Sequence, residues 1–497
     1  MIPLAYSDLT PANIFGDTLV DYDPSAQVYF SYDNEIFRLN LDTLMEIPDT
    51  GFTYSLSLPG AITIYPGNPL TVYNNYVVFR TPDIALNHLV VGSGEVYIRA
   101  ETEAQARVQV TYSAPKATKN GVPFSLVDTI EPAPPGGVSV LERVIDLSGY
   151  SFDLTGDNQL QSNRLRIIIQ AEIPSVDPPL PVPAGTQLVN SKLTFRKIKP
   201  YYARGSVQTR TLEINPEPLT ISLFNLVKAG TFQMTQPELK VVFENGVGLD
   251  LSARITEFRG VNERTGQEVA LQSPATQGFI QLGRAQNVPS PPLPYTPVFS
   301  TLVLNGSNSN LKQFVENMPS KIYVKGKATL NPIPGAGAGH DFLYNVSKTA
   351  ASLKMWFPMG FSFNQLILAD TVPYSTAGLP PRDRLKSLHL MLHCENTYPF
   401  HLLAQLYVVN EQGHPIDSLL SEYLIPAAPP SLNGLPNEPV SVTLEGRAEG
   451  TRLERFLNGT RLYWKLHFHS PYPGSVPLFY DFYRLKARLV ARAEVRL

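Results

Sequence analysis

The sequence predicts an all-β protein built from consecutive antiparallel β-sandwich domains with a few short helices. Short segments alternate apolar and polar residues with the period of two that is typical of strands. The 45 prolines exceed an ordinary share of about 5% and exclude long helices. At 497 residues the chain is too long for one ordinary core, and a size of about 150 residues per domain predicts three domains.

Residues 1–58 are predicted to form an irregular lead segment. Thr10 is a candidate N-cap and Pro11 a candidate first helical residue, so a helix of one or two turns is expected there. The stretch "QVYFSYDNEIFRLNL" then predicts a short hairpin that turns at Asp33 and Asn34.

Residues 59–205 are predicted to form the first sandwich. Its segments "TVYNNYVVFR" and "RLRIIIQAEI" have alternating or continuous β-rich character, and clusters of proline, glycine and asparagine separate the strands. This spacing is typical of antiparallel sheets.

Residues 206–335 are predicted to form the second sandwich. In "PELKVVFENGVGLDLSARITEFRG", residues 237–260, two alternating runs flank a five-residue turn with Asn245 and Gly246, which predicts a β-hairpin. The later stretch "NSNLKQFVENMP" places Leu311, Phe314 and Val315 on one side of a helix.

Residues 336–497 are predicted to form the C-terminal sandwich, reached through a flexible joint at 331–340, "NPIPGAGAGH". Thr451 and Glu454 suggest a capping box that opens a helix. The strand "RLYWKLHFH" follows, with four residues expected to face the core. These are Leu462, Trp464, Leu466 and Phe468.

Charge and cysteine content limit the function classes. A net charge of −3 gives no global field that would attract nucleic acid, so no nucleic-acid partner is expected. The single Cys394 rules out an intrachain disulfide framework. No apolar run approaches the roughly 20 residues of a membrane-spanning helix, and the N-terminal stretch lacks the features of a signal peptide, although a targeting segment ahead of Met1 remains open.

No constellation of residues predicts catalysis, a cofactor or a metal site. On one strand His389 and His393 would lie about 13 Å apart, too far to share an ion, and His467 and His469 about 7 Å apart. "DLTGDN", residues 153–158, lacks the bidentate glutamate of a calcium loop, and "GAGAGH" lacks the helix that would hold phosphate. The chain is therefore expected not to be an enzyme, although catalytic residues distant in sequence would escape detection.

Two residue groups are candidate partner-binding sites. The last strand alternates an apolar face with a basic face, which suits either a docking strip for phosphate-bearing lipid or an acidic partner, or an edge strand protected from aggregation by its charges. Adjacent tyrosines are candidates for stacking on sugars, or alternatively for core packing. The candidate residues are Arg484, Lys486, Arg488, Arg492, Arg496, Tyr201 and Tyr202.

Several stretches resemble a group of uncharacterised cell-envelope proteins of Bacteroidota. They include "IPLAYSDLTPANIFGD", "RVIDLSGYSFDLTGDNQLQSNRLRIII", "LTFRKIKPYYARG" and "MWFPMGFSFNQLILADT". Members look like lipoproteins, so the resemblance implies an N-terminal lipid anchor that is absent from this chain. The hairpin motif at 237–248 with "MPSKIYVKGKATLNP" resembles, more weakly, the LEA-2-like β-sandwich of envelope and lipid-handling proteins.

The resemblance implies a non-enzymatic envelope protein, tethered to the outer membrane, that acts as a structural or adaptor scaffold for envelope proteins or lipid. Alternatives are a protein that binds or transfers lipid or lipopolysaccharide, which requires an apolar groove in a sandwich, and a glycan-binding surface protein. The partner, the oligomeric state and the side of the outer membrane do not follow from the sequence.

Overall fold

The computed structural model describes residues 1–496, except for 16–18, 41–46, 176, 223, 225–226, 235, 289–291, 430–434, 436–437 and 471–475. The described residues form antiparallel sheets and a few short helices, so the all-β prediction is confirmed. The first strands are β1 (Ile2–Leu9), β2 (Val20–Tyr22), β3 (Val28–Arg38), β4 (Thr50–Ser57), β5 (Ile62–Ile64), β6 (Leu70–Val78), β7 (Ile84–Thr102), β8 (Val108–Lys119), β9 (Val122–Ile130), β10 (Ser139–Asp146), β11 (Ser151–Asp153), β12 (Arg164–Glu172), β13 (Leu180–Val182) and β14 (Gln187–Val207).

The remaining elements complete the chain. The strands are β15 (Arg210–Ile214), β16 (Leu219–Thr220), β17 (Val227–Met234), β18 (Glu238–Asn245), β19 (Leu251–Asn262), β20 (Gln267–Ala270), β21 (Ile280–Leu282), β22 (Gln286–Asn287), β23 (Tyr295–Thr296), β24 (Val298–Asn305), β25 (Lys321–Leu330), β26 (Asp341–Tyr344), β27 (Thr349–Pro358), β28 (Phe361–Pro373), β29 (Leu385–Asn396), β30 (His401–Val409), β31 (Pro415–Ile425), β32 (Val440–Glu449), β33 (Arg461–His469) and β34 (Leu485–Val495). The helices are α1 (Pro11–Phe15), α2 (Pro274–Gln277), α3 (Leu311–Glu316) and α4 (Thr451–Asn458).

The largest sheet is built around the long strands β7 and β14. Its order is β26-β14-β7-β11-β8-β12-β6, and β10, β4 and β9 pair with β7, β14 and β8 beside this path. Inward residues such as Phe152 and Leu165 are fully buried. β4 and β26 come from outside the predicted range 59–205, so the sheet crosses that boundary.

Two further pairs of sheets form a middle and a C-terminal sandwich. The middle sandwich consists of the β25 sheet (β15-β25-β19-β20, with β16 and β21 alongside) and the β27 sheet (β2-β3-β27-β18-β24). The C-terminal sandwich consists of the β34 sheet (β1-β34-β29-β32) and the β33 sheet (β17-β28-β33-β30-β31). The predicted limits at 58, 205 and 335 remain predictions, but each sandwich recruits strands from both sides of at least one of them.

The predicted hairpin at 237–260 is wrong in its pairing. β18 and β19 are strands as expected, but β18 pairs with β24 and β27, whereas β19 pairs with β20, β21 and β25. The buried Asn245 holds the connection, because its side-chain amide donates to the carbonyls of Leu249 at 2.8 Å and Gly283 at 2.9 Å. The chain therefore arches from one sheet of the middle sandwich to the other, and alternation alone does not distinguish an arch from a hairpin.

The lead segment is not independent of the rest of the chain. α1 begins at Pro11 as predicted, but Asp33 and Asn34 lie inside the continuous strand β3, so the hairpin predicted there is wrong. β1 pairs with β34 and β3 pairs with β27. Phe15 packs 5.6 Å, centroid to centroid, from Phe479 in the C-terminal core.

The remaining local predictions are mostly confirmed. α3 buries Leu311, Phe314 and Val315, and β33 buries its four predicted residues. The capping box is not formed, since Gly450 is the N-cap of α4 and no side chain caps the helix.

The predicted flexible joint at 331–340 is a series of turns anchored on the buried Asp341. That carboxylate accepts hydrogen bonds from Arg284 at 2.9 Å, from the Val207 amide at 2.8 Å and from Asn331 at 2.8 Å. A Cβ on Gly337 would lie only 1.8 Å from Oδ1 of Asp341, so only glycine fits against the carboxylate.

Candidate functional site

The basic residues of the last strand lie on the outer face of the β34 sheet. Arg488 and Arg492 are exposed, and Arg484, Lys486 and Arg496 lie on the same stretch of chain at and beyond the two ends of β34. β34 is flanked by β1 and β29, so the interpretation of it as an edge strand is wrong. The charges therefore belong to an interior strand, and they are not there to protect an edge.

The neighbours of these charges are mixed. Register places Arg488 between Tyr6 and His393, whereas Lys486 lies between Asp8 and Glu395. Among the described residues, none of the five basic side chains has a carboxylate oxygen within 4 Å. The face offers cations to an acidic partner, but acidic neighbours interrupt it, and the docking strip remains a prediction.

The two predicted tyrosines do not form one platform. Tyr202 is 8% exposed and belongs to a buried cluster with Tyr295, Phe342 and Tyr344. Burial raises the pKa of its hydroxyl, which accepts a hydrogen bond from Asn287 at 3.2 Å. Tyr201 is 42% exposed and contacts Tyr344 edge to face. Because Tyr202 is covered, the pair cannot stack on a sugar as predicted.

The histidines and aspartates have ordinary structural contacts. Within the described ranges no three histidine, cysteine, aspartate or glutamate side chains approach closely enough to hold a metal ion. His401 and His469 are cross-strand neighbours, and the Nδ1 atom of His401 accepts a hydrogen bond from the Ala427 amide at 3.0 Å. In "DLTGDN" the carboxylate of Asp153 is bound by Lys116 at 2.9 Å. The expectation that the chain uses no metal or cofactor remains a prediction.

Cys394 lies in the core of the C-terminal sandwich and is 1% exposed. Desolvation raises the pKa of its thiol to about 12. At neutral pH it is therefore a buried thiol without nucleophilic character.

The feature that best qualifies as a binding site is an apolar cavity inside the middle sandwich. Its volume is about 70 Å³, it opens partly to solvent, and its walls are almost entirely apolar. The β25 sheet contributes one wall and the β27 sheet the other. Its principal lining residues are Ala253, Ile255, Ala328, Phe37, Val241 and Ala351.

Small side chains create this space. Ala253, Gly326 and Ala328 occupy inward positions of the β25 sheet, and Ala351 faces them from β27. Ala253, Ala328 and Ala351 remain partly exposed although they point between two sheets, which shows that solvent enters. Larger side chains at these positions would have filled the interior, as in most sandwiches.

Gly326 has a second role beside the cavity. β19 carries an irregularity between Ile255 and Glu257, opposite Gly326, and a Cβ on Gly326 would lie 2.7 Å from the carbonyl oxygen of Arg254. The β25 backbone therefore comes so close to β19 that only glycine fits there.

The charged residues around the cavity are paired outside it. Lys325 binds Glu257 at 2.7 Å, and this bond, with a second one from Arg259, lowers the pKa of the glutamate. Lys327 binds Glu213 at 2.7 Å. The interior therefore presents hydrocarbon and suits a ligand with an uncharged apolar part.

Sequence reasoning missed this site because its walls come from three distant regions. Phe37 belongs to the lead segment, Ala253 and Ala328 to the second predicted domain, and Ala351 to the third. The available signal was the run of inward alanines and glycine, but that pattern becomes a cavity only when the two sheets are known to face each other.

Comparison with known structures gives distant likenesses. No protein-family model matches the chain, and no curated protein matches it. A crystal structure of a candidate secreted protein from Parabacteroides distasonis is 11% identical, with a TM-score of 0.29, and the alignment covers 58% of this chain and 88% of that one. The structure of T=1 particles derived from infectious bursal virus is 12% identical, with a TM-score of 0.12, and the alignment covers 98% of this chain and 88% of that one.

At these TM-scores neither likeness establishes a common fold. The lipoprotein family and the LEA-2-like resemblance therefore remain predictions. Among the described residues, no helix has the length and apolar character needed to cross a membrane.

Proposed function

We propose that this chain is a non-enzymatic binding protein of the cell envelope whose ligand carries an apolar chain, such as the acyl chain of a lipid or lipopolysaccharide. The supporting observation is the apolar cavity between the sheets of the middle sandwich, which opens partly to solvent. A ligand of this kind requires an apolar space inside a sandwich, which a purely structural scaffold does not.

The chemistry of the cavity favours hydrocarbon. Each buried methylene contributes about 0.8 kcal/mol, so an alkyl chain gains affinity without any polar contact. A charged head group would have to remain outside, because the nearby Lys325 and Lys327 already bind Glu257 and Glu213.

The test is a fluorescence titration with N-phenyl-1-naphthylamine, a probe that brightens in apolar surroundings. The wild-type protein should bind it saturably. Ala328→Leu, which fills the cavity, should weaken binding about tenfold or more, corresponding to about 1.4 kcal/mol. Ala270→Leu is the matched control, because Ala270 is exposed at the edge of the same sheet. Equal binding by all three proteins would refute the proposal.

The second candidate function is an adaptor scaffold for envelope proteins. The observation that favours it is a pair of strands, β9 and β10, that expose valines and that each pair along one side within the described part of the chain. Val122, Val127, Val140 and Val144 are 67%, 52%, 47% and 53% exposed. Arg143 on β10 binds Asp128 on β9 at 2.9 Å, so the two strands lie beside each other, and their exposed valines offer an apolar contact surface to a partner.

Crosslinking in native cells tests this candidate. A partner captured by the wild-type protein should be lost from Val127→Lys and retained by Val346→Lys, a control at another exposed valine. If both variants still capture the partner, β9 is not its contact site. The tether to the outer membrane is tested separately by mass spectrometry of the N-terminal peptide from native cells, where a diacylglyceryl cysteine ahead of Ile2 is expected.

A further inference from the structure

A stacked aromatic pair lies on the outer face of the middle sandwich. The rings of Tyr29 and Trp356 have centroids 4.1 Å apart and planes inclined by 12°. Trp356 is 54% exposed, whereas the second tryptophan of the chain, Trp464, is 6% exposed. One face of the Trp356 indole is covered by Tyr29, and its exposure leaves other ring surface open to solvent.

The strand register places polar groups beside this pair. Asp21 on β2 is opposite Tyr29, and Ser31 on β3 is opposite Trp356. One carboxylate oxygen of Asp21 accepts the Tyr22 amide at 2.8 Å. Among the described residues, the other oxygen of Asp21 and the hydroxyl of Ser31 have no hydrogen-bond partner.

The next outward-facing residues along β27 and β3 form a salt bridge, so their charges cancel. Lys354 follows on the same face of β27, and it binds Asp33 at 2.6 Å. The surface around the rings therefore has no strong net charge to attract a phosphate or a polyanion.

We propose that Tyr29, Trp356, Asp21 and Ser31 form a carbohydrate-binding platform for a β-linked hexopyranose glycan. A pyranose ring with equatorial hydroxyls presents a flat C–H face, which packs on an open aromatic ring, and hydroxyls around its edge. The free oxygen of Asp21 accepts hydrogen bonds from such hydroxyls, and Ser31 both donates and accepts.

This site is separate from the cavity. Both use β27, but Ala351 points between the sheets, whereas Trp356 points away from them. The two proposals therefore fail or succeed independently.

The indole of Trp356 provides a built-in measurement. Because Trp464 is buried, iodide should quench mainly Trp356 fluorescence. The probes are cellohexaose, laminarihexaose and chitohexaose. At least one of them should protect Trp356 from iodide in a saturable way, and isothermal titration calorimetry should give the affinity.

Variants assign the binding to the platform. Trp356→Ala should weaken calorimetric binding about tenfold or more, and Asp21→Asn should weaken it less. Phe299→Ala is the matched control, because Phe299 is 58% exposed on the edge strand of the same sheet, and it should bind like wild type.

Two results would overturn the proposal. One is an absence of protection by all three oligosaccharides in a protein with a normal circular dichroism spectrum. The other is protection that depends on protein concentration and not on sugar, which would identify a second copy of the chain as the occupant.

Discussion

The middle and C-terminal sandwiches are built alike but have different interiors. In the C-terminal sandwich a cluster of rings fills the space: Phe479 lies 5.4 Å from Phe400, 5.5 Å from Phe361 and 6.0 Å from Tyr398, measured between centroids. A smaller cavity of about 20 Å³ lies on its Trp464 side. In the middle sandwich alanines and a glycine face one another, and a cavity of about 70 Å³ remains between the sheets.

The difference shows that side-chain size, and not strand pattern, separates a filled interior from one that contains an open cavity. Both sandwiches follow the same alternation of inward apolar and outward polar residues. Aromatic side chains bury large apolar areas and stabilise the fold, whereas small ones leave contacts unmade that a ligand can supply.

The largest expected effect comes from the aromatic cluster. Phe479 is fully buried, so Phe479→Ala removes its ring contacts and leaves a cavity. We expect it to lower the free energy of unfolding by about 3–5 kcal/mol, measured by urea denaturation. A loss of less than about 1 kcal/mol would show that the C-terminal interior is as loosely packed as the middle one.

An identical substitution in both interiors should give opposite results. Ala448 is fully buried in the C-terminal sandwich, so Ala448→Leu should overpack it and cost about 1–3 kcal/mol. Ala328→Leu enters the cavity and should be neutral or stabilise the protein by about 0.5–2 kcal/mol. Urea denaturation of the two variants measures the change in the free energy of unfolding that each substitution causes. A change of the same sign in both variants would contradict the comparison.

The smallest effect on stability is expected from substitutions of charged residues on the outer surfaces. There the two sandwiches should respond in the same way. Lys325, and then Arg259, lower the pKa of Glu257 below its ordinary 4.5. The stability that Glu257 contributes is therefore present above pH 4.5 and is lost as the pH falls through the folded-state pKa. Glu257→Gln should cost about 1 kcal/mol or less at neutral pH and nothing in acid.

Glu494 is the matched group on the C-terminal sandwich, because Lys386 lowers its pKa in the same way. Thermal unfolding measured across the acid range should show that both glutamine variants are less stable than the wild type, and that both lose this difference over the same pH window. A cost that persists below the folded-state pKa would mean that Glu257 or Glu494 acts through packing and not through charge.

Local structure was largely predictable and strand pairing was not. The burial of Leu462, Trp464, Leu466 and Phe468 on β33 followed from alternation, because a strand exposes successive side chains on opposite faces. The hairpin at 237–260 failed because Asn245 and Gly246 are compatible with either a hairpin or an arch, and the buried contacts of Asn245 with distant Gly283 settled the choice.

The candidate sites show the same limit. Tyr201 and Tyr202 are adjacent in sequence, but Tyr202 is buried. The exposed stack is formed by Tyr29 and Trp356, which are far apart along the chain. Contact between residues so distant depends on which strands pair, and a single sequence does not encode that pairing in any local pattern.

The sequence by itself determined that this chain is an all-β protein with short helices, because periodicity, proline and turn residues act over a few neighbouring positions. Tertiary structure alone decided where the cavity and the aromatic stack lie. Phe37 and Ala351 meet across β3 and β27, and Ala328 faces them from another sheet, so the space between them exists only after distant segments have packed.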